Sequence, residues 1–164
     1  MEASNLENMQ KILQQEAELT LDYFDSQSVR ILADYLMDVM DRDRIPLTVR
    51  VTLKDHHILF HYSSNNCAQD KDNWVRRKTN TVLNFGHSSQ WFYYKTVGNH
   101  DELTIKYGLS LSDYTVSGGA VPIMIKACGC IGALAVSGYS GAWDDHDLAV
   151  AALRHLKEKQ HATE

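Results

Sequence analysis

The sharpest chemical candidate in the chain is a lysine set among aromatic and aliphatic neighbours at helical spacing. Trp74, Lys78, Val82 and Phe85 fall within about 80° of arc when a helix turns about 100° per residue, so all four share one face. Arg76 points away from that stripe and Arg77 borders it. An ammonium in such surroundings needs an anionic partner or water, because burying an unpaired charge is costly. One reading makes Lys78 the anchor for a ligand carboxylate or phosphate. The other packs its stem along the stripe while its head reaches solvent or pairs with an internal Asp.

Two glycine-rich breaks, Ser117-Gly118-Gly119 and Ser137-Gly138, interrupt the stretch from Asp113 to Gly141, which otherwise reads as two strands joined by a tight turn. Such breaks can present backbone N–H groups and hydroxyls to a ligand. They can equally allow a helix to pack closely or a strand to bulge. Both readings stay open. The candidate ligand-binding set is Lys78, Trp74, Ser117, Gly118, Gly119 and Ser137.

Other clusters have simpler explanations. Asp144-Asp145-His146-Asp147 resembles a metal cluster by eye, but acids at a helix start cap exposed N–H groups, and successive residues point around a helix instead of converging. His57 and His61 share a strand face and are of a type that ligates haem iron, although surface histidines are the commoner outcome. Cys67, Cys128 and Cys130 are odd in number and lack framework spacing, so they are expected to be reduced. No dinucleotide fingerprint, phosphate loop, nucleophile elbow or zinc-protease helix is present, and no catalytic residue is assigned.

Composition narrows the partners. The 164 residues carry a formal charge of −5, leaving no broad basic face to track phosphates, so nucleic acid is excluded as a partner. No apolar run approaches the roughly 18 residues of a membrane span. The N-terminus is acidic and has no apolar core of a signal peptide, so a cytoplasmic protein is expected.

The elements that must position these residues follow from periodicity. A helix is expected from Asn5 to about Gln15, then a strand from Glu18 to Phe24. Asp25 to Ser28 cap a helix whose stripe is Val29, Leu32, Ala33, Leu36, Val39 and Met40. After Pro46, Leu47–Leu53 and His57–Ser63 form a hairpin turning at Lys54-Asp55-His56. The helix carrying Lys78 begins near Asp70 or Asp72 and stops at Gly86. An aromatic run, Trp91 to Tyr94, precedes a short helix with Asn99 and Glu102 as a capping box and Gly108 as its end. The strand pair follows, and a last helix starts after Asp144. The order predicts one domain over 1–164: an α/β/α sandwich whose single antiparallel sheet has about five strands.

With these segments laid out, the chain resembles the haem-degrading-domain family (the GlcG/HbpS-like proteins), in its short, uncharacterised UPF-type branch. Four segments carry the resemblance, which runs from about Leu19 to Leu156: Trp74-Val75-Arg76-Arg77-Lys78, Lys106-Tyr107-Gly108-Leu109-Ser110, Ser117-Gly118-Gly119-Ala120-Val121-Pro122-Ile123, and Ile131 to Gly138 followed by Asp145-His146. The resemblance implies a profilin-like fold, homo-oligomers, and haem as a candidate cofactor, without assigning haem ligands to positions. The turn Ala127-Cys128-Gly129-Cys130 departs from the polar turn expected there. Two functions follow as expectations: an oligomeric binding protein for a small anionic molecule such as a tetrapyrrole, or an assembly protein making contacts through Trp91–Tyr94 and its strand edges.

Overall fold

The computed structural model describes residues 2–138 and 144–162. Its elements are α1 (Ala3–Glu18), α2 (Ser26–Asp43), β1 (Leu47–Leu53), β2 (Ile58–Ser63), α3 (Asp70–Phe85), α4 (Ser89–Thr96), α5 (Asp101–Tyr107), β3 (Ala120–Ile125), β4 (Gly129–Gly138) and α6 (Asp145–His161). Among the described residues the strands form one sheet in the order β2-β1-β4-β3, antiparallel throughout. The expected stretch to Gly141 ends within the sheet at Gly138; its last three residues lie outside the described residues.

The sheet has four strands where about five were expected. The missing one is Glu18–Phe24. Helix α1 runs through Glu18, and Asp25 already caps α2 by accepting from Ser28 N at 2.8 Å, so too little chain remains for a ladder. Only Leu21 bridges, in parallel, to Ile125. The alternation that suggested a strand is real all the same, for Leu19 and Leu21 are buried while Tyr23 is exposed. It anchors a crossing segment to the core.

Strand alternation divides the sheet into two faces. Leu47, Val49, Val51, Leu134 and Val136 join Val121 and Ile123 in the main core, covered by Leu32, Leu36 and Val39 of α2 and Leu148, Leu153 and Leu156 of α6. The opposite face is small: Ala120, Ala133 and Ala135 meet Val75 and Val82 of α3. A helix approaches a sheet closely where side chains are this short, which is how α3 reaches β4. A third cluster, Phe92, Leu103 and Val116, packs with Phe85 and Tyr107 and supports α4 and α5 at the side. Within the Trp91–Tyr94 run Phe92 is buried, Trp91 and Tyr94 are half-buried with Trp91 tilted against His87, and Tyr93 is exposed.

One cap differs from expectation. Helix α5 takes His100 as its N-cap, and Asn99 instead accepts from Asp101 N at 3.1 Å in a local turn. No described helix is long and apolar enough to cross a membrane.

Candidate functional site

Helix α3 spans two different environments along the small face of the sheet. At one, Val75, Lys78 and Val82 point inward, and Lys78 is only 3% exposed. Its Nζ donates to Asp145 Oδ2 and to the Val136 carbonyl, both at 2.9 Å. Asp145 is the first residue of α6, so the pair ties helices of both layers to β4. Burial pushes the Lys78 ammonium down from its ordinary pKa, and the adjacent Asp145 opposes that shift. Burial likewise pushes the Asp145 carboxyl up, with Lys78 pulling it back.

Gly119 makes room for this pair. Its φ is +130°, and a Cβ there would lie 2.5 Å from the Val136 carbonyl oxygen, 2.7 Å from Lys78 Nζ and 2.9 Å from the Asp145 Cβ. Gly118 faces elsewhere, with its open side filled by the Gln90 amide of α4. Ser137 is buried opposite Thr48 of β1. Ser117 is half-buried, its N–H donating to Thr115 Oγ1 at 3.1 Å. Trp74 lies on the flank of α3 beneath Arg77, whose guanidinium sits 4.8 Å from the ring centre. Of the six sequence-derived residues, Lys78 and Gly119 meet directly. Gly118, Trp74, Ser117 and Ser137 take other neighbours.

The second environment is a cleft of about 360 Å³ between α3 and the β1–β2 hairpin, lined by Arg50, Thr52, His56, Ile58, Arg76, Thr79 and Asn80. Arg50 and Thr52 alternate with the core-facing Val49 and Val51, which directs them toward α3. Arg50 is half-buried, and its Nε–H donates to His61 Nδ1 at 3.1 Å. Burial lowers the Arg50 pKa, Asp72 raises it, and Arg76 lowers it further. Arg76 is already held by Asp113 at 2.9 Å and by the Ser112 carbonyl at 2.7 Å. Nothing in the sequence marked this cleft. The signal available was Thr79 three residues beyond Arg76 on α3, facing Arg50 and Thr52 at alternate positions of β1. The side of β1 that α3 covers cannot be read from alternation alone.

Two further clefts open elsewhere. One, of about 390 Å³, lies between the end of α2 and β2, beside Arg44 and Tyr62. The other, of about 290 Å³, lies where α1, α4 and the start of α6 meet, beside Lys11, Gln15 and His146. His146 is buried, with Nε2 2.8 Å from Gln15 Oε1, and burial lowers its pKa. All three cysteines are free. Cys67 Sγ lies 3.2 Å from Thr48 Oγ1, and the half-buried Cys130 thiol is pushed up by burial. His61 Nε2 lies 3.1 Å from Asp72 Oδ1. Among the described residues, no three His, Cys, Asp or Glu side chains converge as a metal site.

Residues 24–154 match the family described as haem degrading protein HbpS-like. A UPF0303 protein of Serratia proteamaculans is 35% identical over 150 residues, covering 92% of each chain. One from Rhizobium leguminosarum bv. trifolii is 36% identical over 154 residues, covering 93% of this chain and 91% of the relative. Among solved structures, the Ybr137w protein superposes with a TM-score of 0.81 at 27% identity, over 91% of this chain and 87% of that one. The PduOC:heme complex superposes with a TM-score of 0.67 at 14% identity, over 80% and 94%. HbpS does so at 0.62 and 13%, over 84% and 89%. The sandwich, with α3 on its small face and α2 and α6 on the other, is thus the fold of these proteins, and the chain belongs to the HbpS-like family.

Proposed function

We propose that this protein binds a small anionic molecule, with haem the first ligand to test. The observation that carries the reading is the family match over residues 24–154, whose description is haem degradation, joined by a fold-mate solved as a haem complex. The chain's own chemistry supports it. Haem offers carboxylates to a cation and an apolar ring to a cleft wall. Clefts bordered by Arg44 with Tyr62, and by Arg50 with Ile58, combine those features. In this reading Lys78, with Gly119 beside it, fixes α3 against β4 and Asp145 and so holds the scaffold of the clefts, while Trp74, Ser117, Gly118 and Ser137 are candidates whose substitution the same titration tests. Titration of the protein with hemin, followed by absorbance and by tryptophan fluorescence, is expected to saturate at a fixed stoichiometry. A featureless, non-saturating change at every ratio rejects haem as the ligand.

The edge strand supports a second proposal, self-assembly. Among the described residues β2 pairs only with β1, and Ile58 and Tyr62 on it are 46% and 37% exposed. An open edge with apolar side chains is a template for another chain. Light scattering is expected to show an oligomer that Tyr62→Lys weakens, whereas a monomer at tens of micromolar removes this role.

A further inference from the structure

The cleft between α3 and the β1–β2 hairpin brings together donors that the fold leaves unused. Arginine carries five N–H donors in a planar fork. Among the described residues only the Nε–H of Arg50 is engaged, and its partner is a ring nitrogen of His61, not a carboxylate. Two hydroxyls beside it are also without partners. Thr52 and Thr79 are 3% and 2% exposed, both line the cleft, and neither Oγ1 makes a hydrogen bond. A threonine within a helix normally satisfies its hydroxyl on the carbonyl four residues back. Thr81 does so on Arg77 at 3.2 Å and Thr96 on Phe92 at 2.9 Å. Thr79 does not, although it is mid-helix, two residues before Thr81. A buried hydroxyl left in this state is costly and calls for a missing acceptor or donor.

We propose that this cleft is an oxyanion site, taking the carboxylate or phosphate group of a small molecule. Arg50 supplies the charge and the fork, and the Thr52 and Thr79 hydroxyls supply neutral donors. Asn80 and His56 border the mouth, and Ile58 provides an apolar wall for the remainder of the ligand. The acids nearby do not fill the role. Asp113 is occupied by Arg76, and Asp72 by His61. The cleft, at about 360 Å³, lies within the range of small-ligand sites. Lys78 takes no part, since its ammonium is already held by Asp145. The site rests on the reading of an anionic ligand and deepens it, assigning the oxyanion to one of the two clefts named above without requiring that the ligand be haem.

The test is a titration of the full chain at low ionic strength with inorganic phosphate and, separately, with citrate, read by amide chemical shifts. Saturable shifts are expected at Arg50, Thr52, Ile58, Thr79 and Asn80. Arg50→Gln is expected to weaken binding about tenfold or more, the scale of a lost charge-assisted hydrogen bond. Thr79→Val is expected to weaken it about three- to tenfold while raising the melting midpoint of the free protein by about 2–4 °C, because a partnerless buried hydroxyl is removed. Saturation by phosphate alone assigns a phosphorylated ligand, by citrate alone a carboxylate, and by both a site reading charge and donors without regard to shape. No saturable shift with either anion overturns the proposal, as does an Arg50→Gln protein that keeps a folded spectrum and titrates like the parent. Failure of hemin to bind leaves this result untouched, since its probes are phosphate and citrate.

Discussion

Lys78 and Arg50 both lie where α3 meets the sheet, and their surroundings are opposite. Lys78 is 3% exposed and holds a carboxylate and a backbone carbonyl, so its charge is matched inside the protein. Arg50 is half-buried and donates only to His61 among the described residues. The difference lies in what stands opposite each cation. Helix α6 begins with Asp145 directly over Lys78, whereas the β1–β2 hairpin brings no free acid to Arg50. One cation closes the three layers. The other is left to meet something from solution. A buried charge is therefore weak evidence of function, and a half-buried one with unused donors is stronger.

The largest break in this contrast is Lys78→Met. It leaves Asp145 in a low-dielectric setting without its counter-ion, and loss of one partner of such a pair costs about 3–5 kcal/mol. Urea denaturation of the variant measures it. Adding Asp145→Leu removes the stranded charge and is expected to restore most of the loss. A double variant no more stable than Lys78→Met shows that the pair holds the layers in a way apolar packing cannot replace.

Gly119→Ala tests the same region through the backbone. A φ of +130° disfavours any residue with a Cβ, at about 1–3 kcal/mol, and the new atom would also press on the Val136 carbonyl oxygen and the Lys78 ammonium. Gly118→Ala is its control. There the obstacle is the end of the Gln90 side chain, which can rotate away, so a loss below about 1 kcal/mol is expected. Equal losses at the two glycines would remove the close approach at Gly119 as an explanation.

These residues also show how far the sequence could be read. Periodicity placed Lys78 on an apolar helix face, and the α/β/α sandwich followed from the order of elements. What it could not supply was the partner, because Asp145 is 67 positions away and met Lys78 only once both layers had folded. Asp144 caps α6 as its position suggested, accepting from His146 N at 2.8 Å, which leaves Asp145 free to turn toward Lys78. The extra strand at Glu18–Phe24 had the right alternation and the wrong neighbours. Arg50 was legible as a polar strand position, but its meaning depends on which face α3 covers and on Thr79 lacking a partner, and neither is a local property.

A smaller effect belongs to His146, beside Asp145 in the closed region. Burial favours its neutral ring and lowers its pKa in the folded state, while Asp147, Asp144 and Glu16 oppose the shift. Below the unfolded value of 6.5 the unfolded chain then binds more protons than the native one. Stability from this group is full above that pH and falls as the pH drops through it toward the folded pKa. Denaturation curves between pH 7 and about pH 5 are expected to show the decline. His146→Gln, which can still donate toward Gln15, is expected to flatten it. An unchanged slope assigns the acid sensitivity to other groups.

The smallest expected effect is the most informative about the contrast. Arg50→Gln removes a cation whose outer donors have no protein partner among the described residues, so little native interaction is lost beyond the contact with His61. A cation that is partly hydrated and unpaired with a carboxylate contributes on the scale of an exposed pair, about 0–1 kcal/mol. The same variant is the one expected to weaken anion binding about tenfold or more. Stability nearly unchanged with binding weakened is the signature of a residue kept for a ligand. A loss as large as that of Lys78→Met would instead make Arg50 a second structural cation, clamping β1 to α3 through His61 and Asp72, and the two halves of the interface would then be alike.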